Sequence, residues 1–157
     1  ALGNAAATMV GQNLGAGRPR RAQKAAWLAV LIDACIMLVA GIAIVGLAPG
    51  MMKLFSREPE VVTIGTRYFR TVSLFYVFAG LSIVLGRSLN GAGKTVSTMV
   101  MTVVALWGLQ VPLAIILSRT VTPPTQGVWY AIAAAVTAHG IMVAAWFLTG
   151  RWKHGTV

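Results

Sequence analysis

The side chains able to hold a cation, pass a proton or attack a substrate are few. The carboxylates are Asp33, Glu58 and Glu60, the imidazoles are His139 and His154, and the thiol is Cys35. A nucleophilic site needs a nucleophile beside a base, and a structural or catalytic metal needs several His, Cys or acidic ligands converging on one point. Most such sites cannot be assembled from this inventory, so the chain is read as non-enzymatic, with no cofactor and no metal. A lone cysteine also excludes an internal disulfide. What remains is the chemistry of isolated groups in apolar surroundings. Asp33 interrupts an otherwise uncharged stretch, residues 25–47, and His139 sits within the uncharged residues 127–149. An acid buried in a membrane span is costly and commonly serves an ion or proton pathway, and a histidine titrates in the range suited to a proton relay. The blander roles are a packing Asp held neutral or bonded to a neighbouring helix, and a neutral His bonded across helices.

The elements that must position these groups follow from composition. Of 157 residues, 57% are hydrophobic and 10% charged, with a mean hydropathy of +0.78. Soluble domains carry about 25% charged residues. The net charge of +10 and pI near 11.3 would by themselves suggest nucleic acid, but so apolar a chain takes the bilayer as its solvent, and the reading is membrane and no nucleic acid. A spanning helix needs about 20 mostly apolar residues. Residues 25–47, 95–118 and 127–149 satisfy this, and 66–86 does so if Arg67 and Arg70 reach out to the headgroups. Residues 1–17 read as the end of a further helix closing in a Gly-rich turn, and 150–157 as a tail, so that residues 1–157 form a single transmembrane region. Breaks are expected at Pro49-Gly50, Pro59, the Asn90 to Gly93 turn and Pro123-Pro124.

Alternation of the spans puts eight basic residues (Arg18, Arg20, Arg21, Lys24, Arg87, Lys94, Arg151 and Lys153) at one end and five (Lys53, Arg57, Arg67, Arg70 and Arg119) at the other. The positive-inside rule then makes the eight-residue end, and the carboxyl terminus, cytoplasmic, with Trp146 and Trp152 near the interface. Asp33 lies nine residues beyond Lys24, which at about 1.5 Å per residue is roughly 13 Å into the membrane. Its helical stripe holds Ala26, Ala29, Ala40 and Ala43, a face made for packing against other helices. Gln110 with Pro112 suggests a kinked helix with a polar contact in a cavity. Tyr76 and Phe78 could contact an aromatic cation, although aromatics on a membrane helix usually serve packing.

Ser88 to Thr95 comes within one residue of the phosphate-binding GxxxxGK[ST] loop. It lacks both a preceding strand and a downstream acid to organise magnesium, and reads instead as a tight turn between two membrane helices.

The stretch Val10-Gly11-Gln12-Asn13-Leu14-Gly15-Ala16-Gly17-Arg18-Pro19-Arg20-Arg21-Ala22 resembles the signature at the cytoplasmic end of a helix in the multidrug and toxic compound extrusion transporters. Leu54-Phe55, Glu58-Pro59-Glu60-Val61, Tyr68 and Leu89-Asn90-Gly91-Ala92-Gly93 follow in that family's order. The resemblance implies an all-α, multi-pass transmembrane bundle of two six-helix lobes. This chain would supply a partial second lobe, a C-terminal fragment whose first lobe lies elsewhere in the same chain. It further implies a secondary antiporter of the plasma or inner membrane that exports small, often cationic organic compounds in exchange for H+ or Na+. Asp33 becomes the ion-coupling candidate, Tyr76, Gln110 and His139 the cavity-lining candidates, and Gly11, Gln12, Gly15, Gly17 and Arg21 the signature turn. The family's coupling carboxylates belong to other helices, and residues 66–86, the counterpart of one of them, hold no acid. The alternatives are a related exporter of lipid-linked oligosaccharides, which calls for a more basic cavity, and a non-transporting membrane subunit.

Overall fold

The computed structural model describes residues 1–154. Its α-helices are α1 Leu2–Gly15, α2 Pro19–Phe55, α3 Pro59–Val72, α4 Tyr76–Gly91, α5 Thr95–Val103, α6 Val111–Thr120 and α7 Pro124–Leu148, and no strand occurs among the described residues. A 3-10 turn, Ser73–Phe75, joins α3 to α4, and a π-helical stretch, Val104–Gln110, joins α5 to α6. Four segments are therefore long and apolar enough to cross a membrane: Pro19–Phe55, Pro59–Gly91, Thr95–Thr120 and Pro124–Leu148. Helix α4 is the hub, packed by α1, α2 and α7, while α6 lies along α7.

Large aliphatic and aromatic side chains such as Leu31, Val39, Ile42, Val96, Trp107 and Ile116 are exposed, whereas Ala6, Ala22, Ala26, Ala131, Ala135, Ser73 and Ser88 are buried. This inverts the arrangement of a water-soluble domain. Lipid tails are as apolar as Leu, so nothing drives large residues inward, and small ones allow backbones to approach and gain dispersion energy. Glycines mark the closest crossings. A β-carbon on Gly11 of α1 would stand 3.0 Å from the Gly91 carbonyl oxygen of α4, one on Gly41 of α2 3.0 Å from that of Ser73, and one on Gly140 of α7 2.7 Å from that of Phe78.

Three boundaries differ from the sequence expectations. The break at Pro49-Gly50 is absent: α2 runs through Pro49 to Phe55, 37 residues in all. A proline deletes one backbone bond, but where water is scarce, ending the helix would strand several more, so continuing is cheaper. The span expected at 66–86 is longer, and it is interrupted at Ser73–Phe75, where Gly41 of α2 presses on the Ser73 carbonyl and the Ser73 hydroxyl donates to the Phe69 carbonyl. The kink expected near Gln110 and Pro112 takes the form of the π-helical stretch just ahead of Pro112. A wide turn there accommodates a ring that cannot donate to the ladder.

The 150–157 tail is also more structured than a tail. Arg151–His154 forms a 3-10 turn that returns to the bundle. Trp152 is 1% exposed, stacks on Phe147 at a centroid separation of 4.5 Å and donates its indole N–H to the Phe147 carbonyl at 2.8 Å. Trp27 of α2 meets the same Phe147 edge-on at 5.8 Å. Trp152 is thus packed into the core of the bundle. The last three positions, 155–157, lie outside the described residues.

Candidate functional site

The signature turn is a helix cap. The Gly17 N–H donates to the Leu14 carbonyl at 2.9 Å and the Arg18 N–H to that of Asn13 at 2.8 Å, with Gly17 at φ 67°. This 6→1 plus 5→2 pairing around a left-handed residue is the Schellman arrangement, and glycine adopts that φ without steric cost. The same device recurs between α4 and α5. The Gly93 N–H donates to Asn90 at 3.0 Å and the Lys94 N–H to Leu89 at 2.9 Å, with Gly93 at φ 74°. Each turn reads Gly-Ala-Gly followed by a basic residue. The near-match to a phosphate loop is therefore a twin of the signature turn, and Ser88, at the position of the loop's first glycine, is buried with its hydroxyl on the Val84 carbonyl. Gly11 meets Gly91 between the two turns. Gln12 lends its carbonyl to the cap through the Ala16 N–H, Gly15 faces open space, and Arg21 is exposed.

Both turns lie at the same end of the bundle as the Arg151–His154 turn, whose Lys153 ammonium donates to the Gln23 side chain at 2.8 Å. The eight basic residues of one topological side therefore gather at one end.

Between α4, α5 and α7 lies a cleft of about 570 Å³. Its polar wall is a ladder. His139 Nε2 lies 3.4 Å from Thr102 Oγ1; the Thr102 hydroxyl donates to the Thr98 carbonyl at 2.9 Å; and Thr98 Oγ1 is 2.6 Å from Asn90 Oδ1. With the Thr102 proton on the Thr98 carbonyl, the threonine oxygen is free to accept from an imidazole whose Nε2 carries the proton. Arg87 lines the turn-proximal part, and Ile83, Met99, Val103 and Val143 supply apolar surface. Of the expected cavity residues the cleft contains His139. Tyr76 and Gln110 are half-buried elsewhere and do not line it. Thr98, Thr102, Asn90 and Arg87 were not anticipated. The signal available was Thr98 and Thr102, one helical turn apart on an uncharged helix.

Asp33 is 8% exposed on the face of α2 that meets α4, as expected, but the buried stripe runs through Ala22, Ala26, Val30 and Gly41, and Ala43 of the expected stripe is exposed. Its carboxyl abuts Gly80, so that a β-carbon there would overlap Oδ2, and Met37 packs beside it. Oδ2 is buried without a hydrogen-bond partner among the described residues, so this oxygen makes no bond to a Ser, Thr or Arg of an adjacent helix.

Four apolar spans around a lipid-facing exterior, small residues inside and a polar cleft define a membrane-embedded, multi-pass helical protein. The MatE family profile matches residues 1–116, and the chain belongs to that family. It is 30% identical over 146 residues to the multidrug resistance protein PmpM of Pseudomonas aeruginosa, covering 90% of this chain and 31% of that protein. It is 21% identical over 150 residues to a probable multidrug resistance protein NorM of Thermotoga maritima, covering 96% and 32%. Two solved structures share the fold. The eukaryotic MATE transporter AtDTX14 superposes with a TM-score of 0.88 at 27% identity over 97% of this chain, and the MATE transporter ClbM in complex with Rb+ with 0.87 at 25% identity over 95%. The chain spans about a third of the length of these relatives.

Proposed function

We propose that this chain forms part of a secondary antiporter that exports small, amphipathic and often cationic organic compounds in exchange for H+ or Na+, with its basic end in the cytoplasm. The family match over residues 1–116 carries the reading, and it is supported by relatives that bear the name of multidrug resistance proteins. Such transporters work by rocking helical bundles about a central site. On this reading the helices described here act together with the rest of a two-lobed exporter, the missing first lobe included. The reading places the protein in the plasma or inner membrane. The oligosaccharide-exporter alternative asks for a basic cavity, and the cleft lining holds one guanidinium, Arg87, with His139.

The test is efflux of a fluorescent organic cation from vesicles containing the complete transporter, driven separately by a proton gradient and a sodium gradient. Efflux under one of them supports the proposal. Folded protein that is silent under both overturns it.

A further inference from the structure

Among the buried titratable groups, Asp33 stands apart. Its carboxyl lies within α2 at the contact with α4, nine-tenths buried, with Oδ2 unpartnered and aimed at the notch that Gly80 leaves by having no side chain. The charged and titratable groups on the elements packed against α2 are the amino group of Ala1 at the head of α1, Glu60, Arg67, Tyr68 and Arg70 of α3, Tyr76 and Arg87 of α4, Tyr130 and His139 of α7, and Arg151, Lys153 and His154 of the turn that follows it; the Ser73–Phe75 turn has none. On α2 itself they are Arg20, Arg21, Lys24, Cys35 and Lys53. None of these donates a hydrogen bond to Asp33 Oδ2 among the described residues. Tyr76 and Arg87 are four and seven residues from Gly80, about 6 and 10 Å along the helix axis.

A carboxylate in that notch is a buried charge whose Oδ2 has no donor, the arrangement proteins avoid. A metal cation in its place would ask for a shell of several oxygens, and no cluster of three or more His, Cys, Asp or Glu exists among the described residues. One oxygen suffices for a proton. We propose that Asp33 is a proton-binding site built into the α2–α4 contact, with Gly80 as its seat. The neutral acid fills the notch, and loss of the proton drives the carboxylate out and loosens the two helices. The site concerns this contact itself and holds whether or not exchange is coupled through it.

The sign follows from the occupant. Because the seat accepts the protonated form, the contact is firm at low pH and opens as pH rises through the titration of Asp33. The test uses the full chain in lipid nanodiscs and infrared difference spectra between neutral and alkaline pH. A protonated-carboxyl carbonyl band should be present at neutral pH, vanish reversibly on raising the pH and be missing from Asp33→Asn. Its absence from the wild type at neutral pH, or its survival in Asp33→Asn, overturns the proposal. In Gly80→Ala the band should need about tenfold more protons to appear; an unmoved band removes Gly80 as the seat.

If that variant does not fold, a spin label on Cys35 and a second at Ile83→Cys report the same contact across α2 and α4. Their separation should grow with pH in the wild-type background and stay constant with Asp33→Asn. A separation that ignores pH in both overturns the opening step. Failure of cation efflux with the infrared band intact would count against the antiport reading alone.

Discussion

Gly140 of α7 meets Phe78 of α4 backbone to backbone, leaving 2.7 Å between the Phe78 carbonyl oxygen and the place a β-carbon would occupy. Gly140→Ala should push these helices apart and lower stability by about 1–3 kcal/mol, the usual cost of overpacking. Gly46 of α2, with nothing within 4 Å of its virtual β-carbon, is the control. There alanine should stabilise the helix by about 0.5–1 kcal/mol. Thermal unfolding in detergent separates the two; equal shifts would mean that α4 and α7 do not touch here.

The twin caps make a paired prediction. Gly17→Ala and Gly93→Ala each force a β-carbon into the left-handed region, at a cost of about 1–2 kcal/mol. Gly15→Ala, two residues from Gly17 but facing open space, should be close to neutral. Unfolding midpoints of the three variants check the ranking, and a Gly15 variant as damaging as the other two would contradict it.

Trp152 tests whether the segment after α7 belongs to the core. Its replacement by alanine removes a fully buried indole stacked on Phe147, for which about 3–5 kcal/mol is expected. Were the segment a solvated tail, the unfolding transition would not move.

The His139–Thr102 link can be measured by a double-mutant cycle with His139→Phe and Thr102→Val. A coupling of about 0.6 kcal/mol, and no more than about 1.7, is expected for a hydrogen bond between membrane helices. Strict additivity in unfolding experiments would show the 3.4 Å contact to be incidental.

Cys35 is exposed on the apolar outer face of α2, among Leu31, Ile32, Ile36 and Val39. A membrane-permeant thiol reagent should modify it in intact vesicles and a charged, impermeant one should not. Labelling by the impermeant reagent would place this part of α2 in water.

The chain's membrane character, the number of its spans and the Gly-rich turns were all legible in the residues, because each depends on local quantities: apolar run length against bilayer thickness, and the φ available to glycine. The burial of Asp33 was expected too, although the stripe that buries it holds Ala26 and Gly41 rather than Ala43. The interruption at Ser73–Phe75 was not legible, because it carries no breaker strong enough to announce it, whereas Pro112 with Gln110 announced the one at Val104–Gln110. Pro49 announced a break that did not form. In both cases the deciding term is the neighbour or the solvent rather than the residue.

The amino-acid sequence by itself therefore determined that this protein lives in a bilayer, where its Gly-rich turns fall, and which acid is carried into a span. The tertiary structure decided what those groups face. It set Asp33 against Gly80 with no donor to Oδ2, joined His139 to Thr102 while leaving Tyr76 and Gln110 outside the cleft, and folded Trp152 back onto Phe147. Helical periodicity assigns a residue to a face, but the partner of that face lies tens of residues away and is chosen by packing across helices, which short-range pattern does not encode.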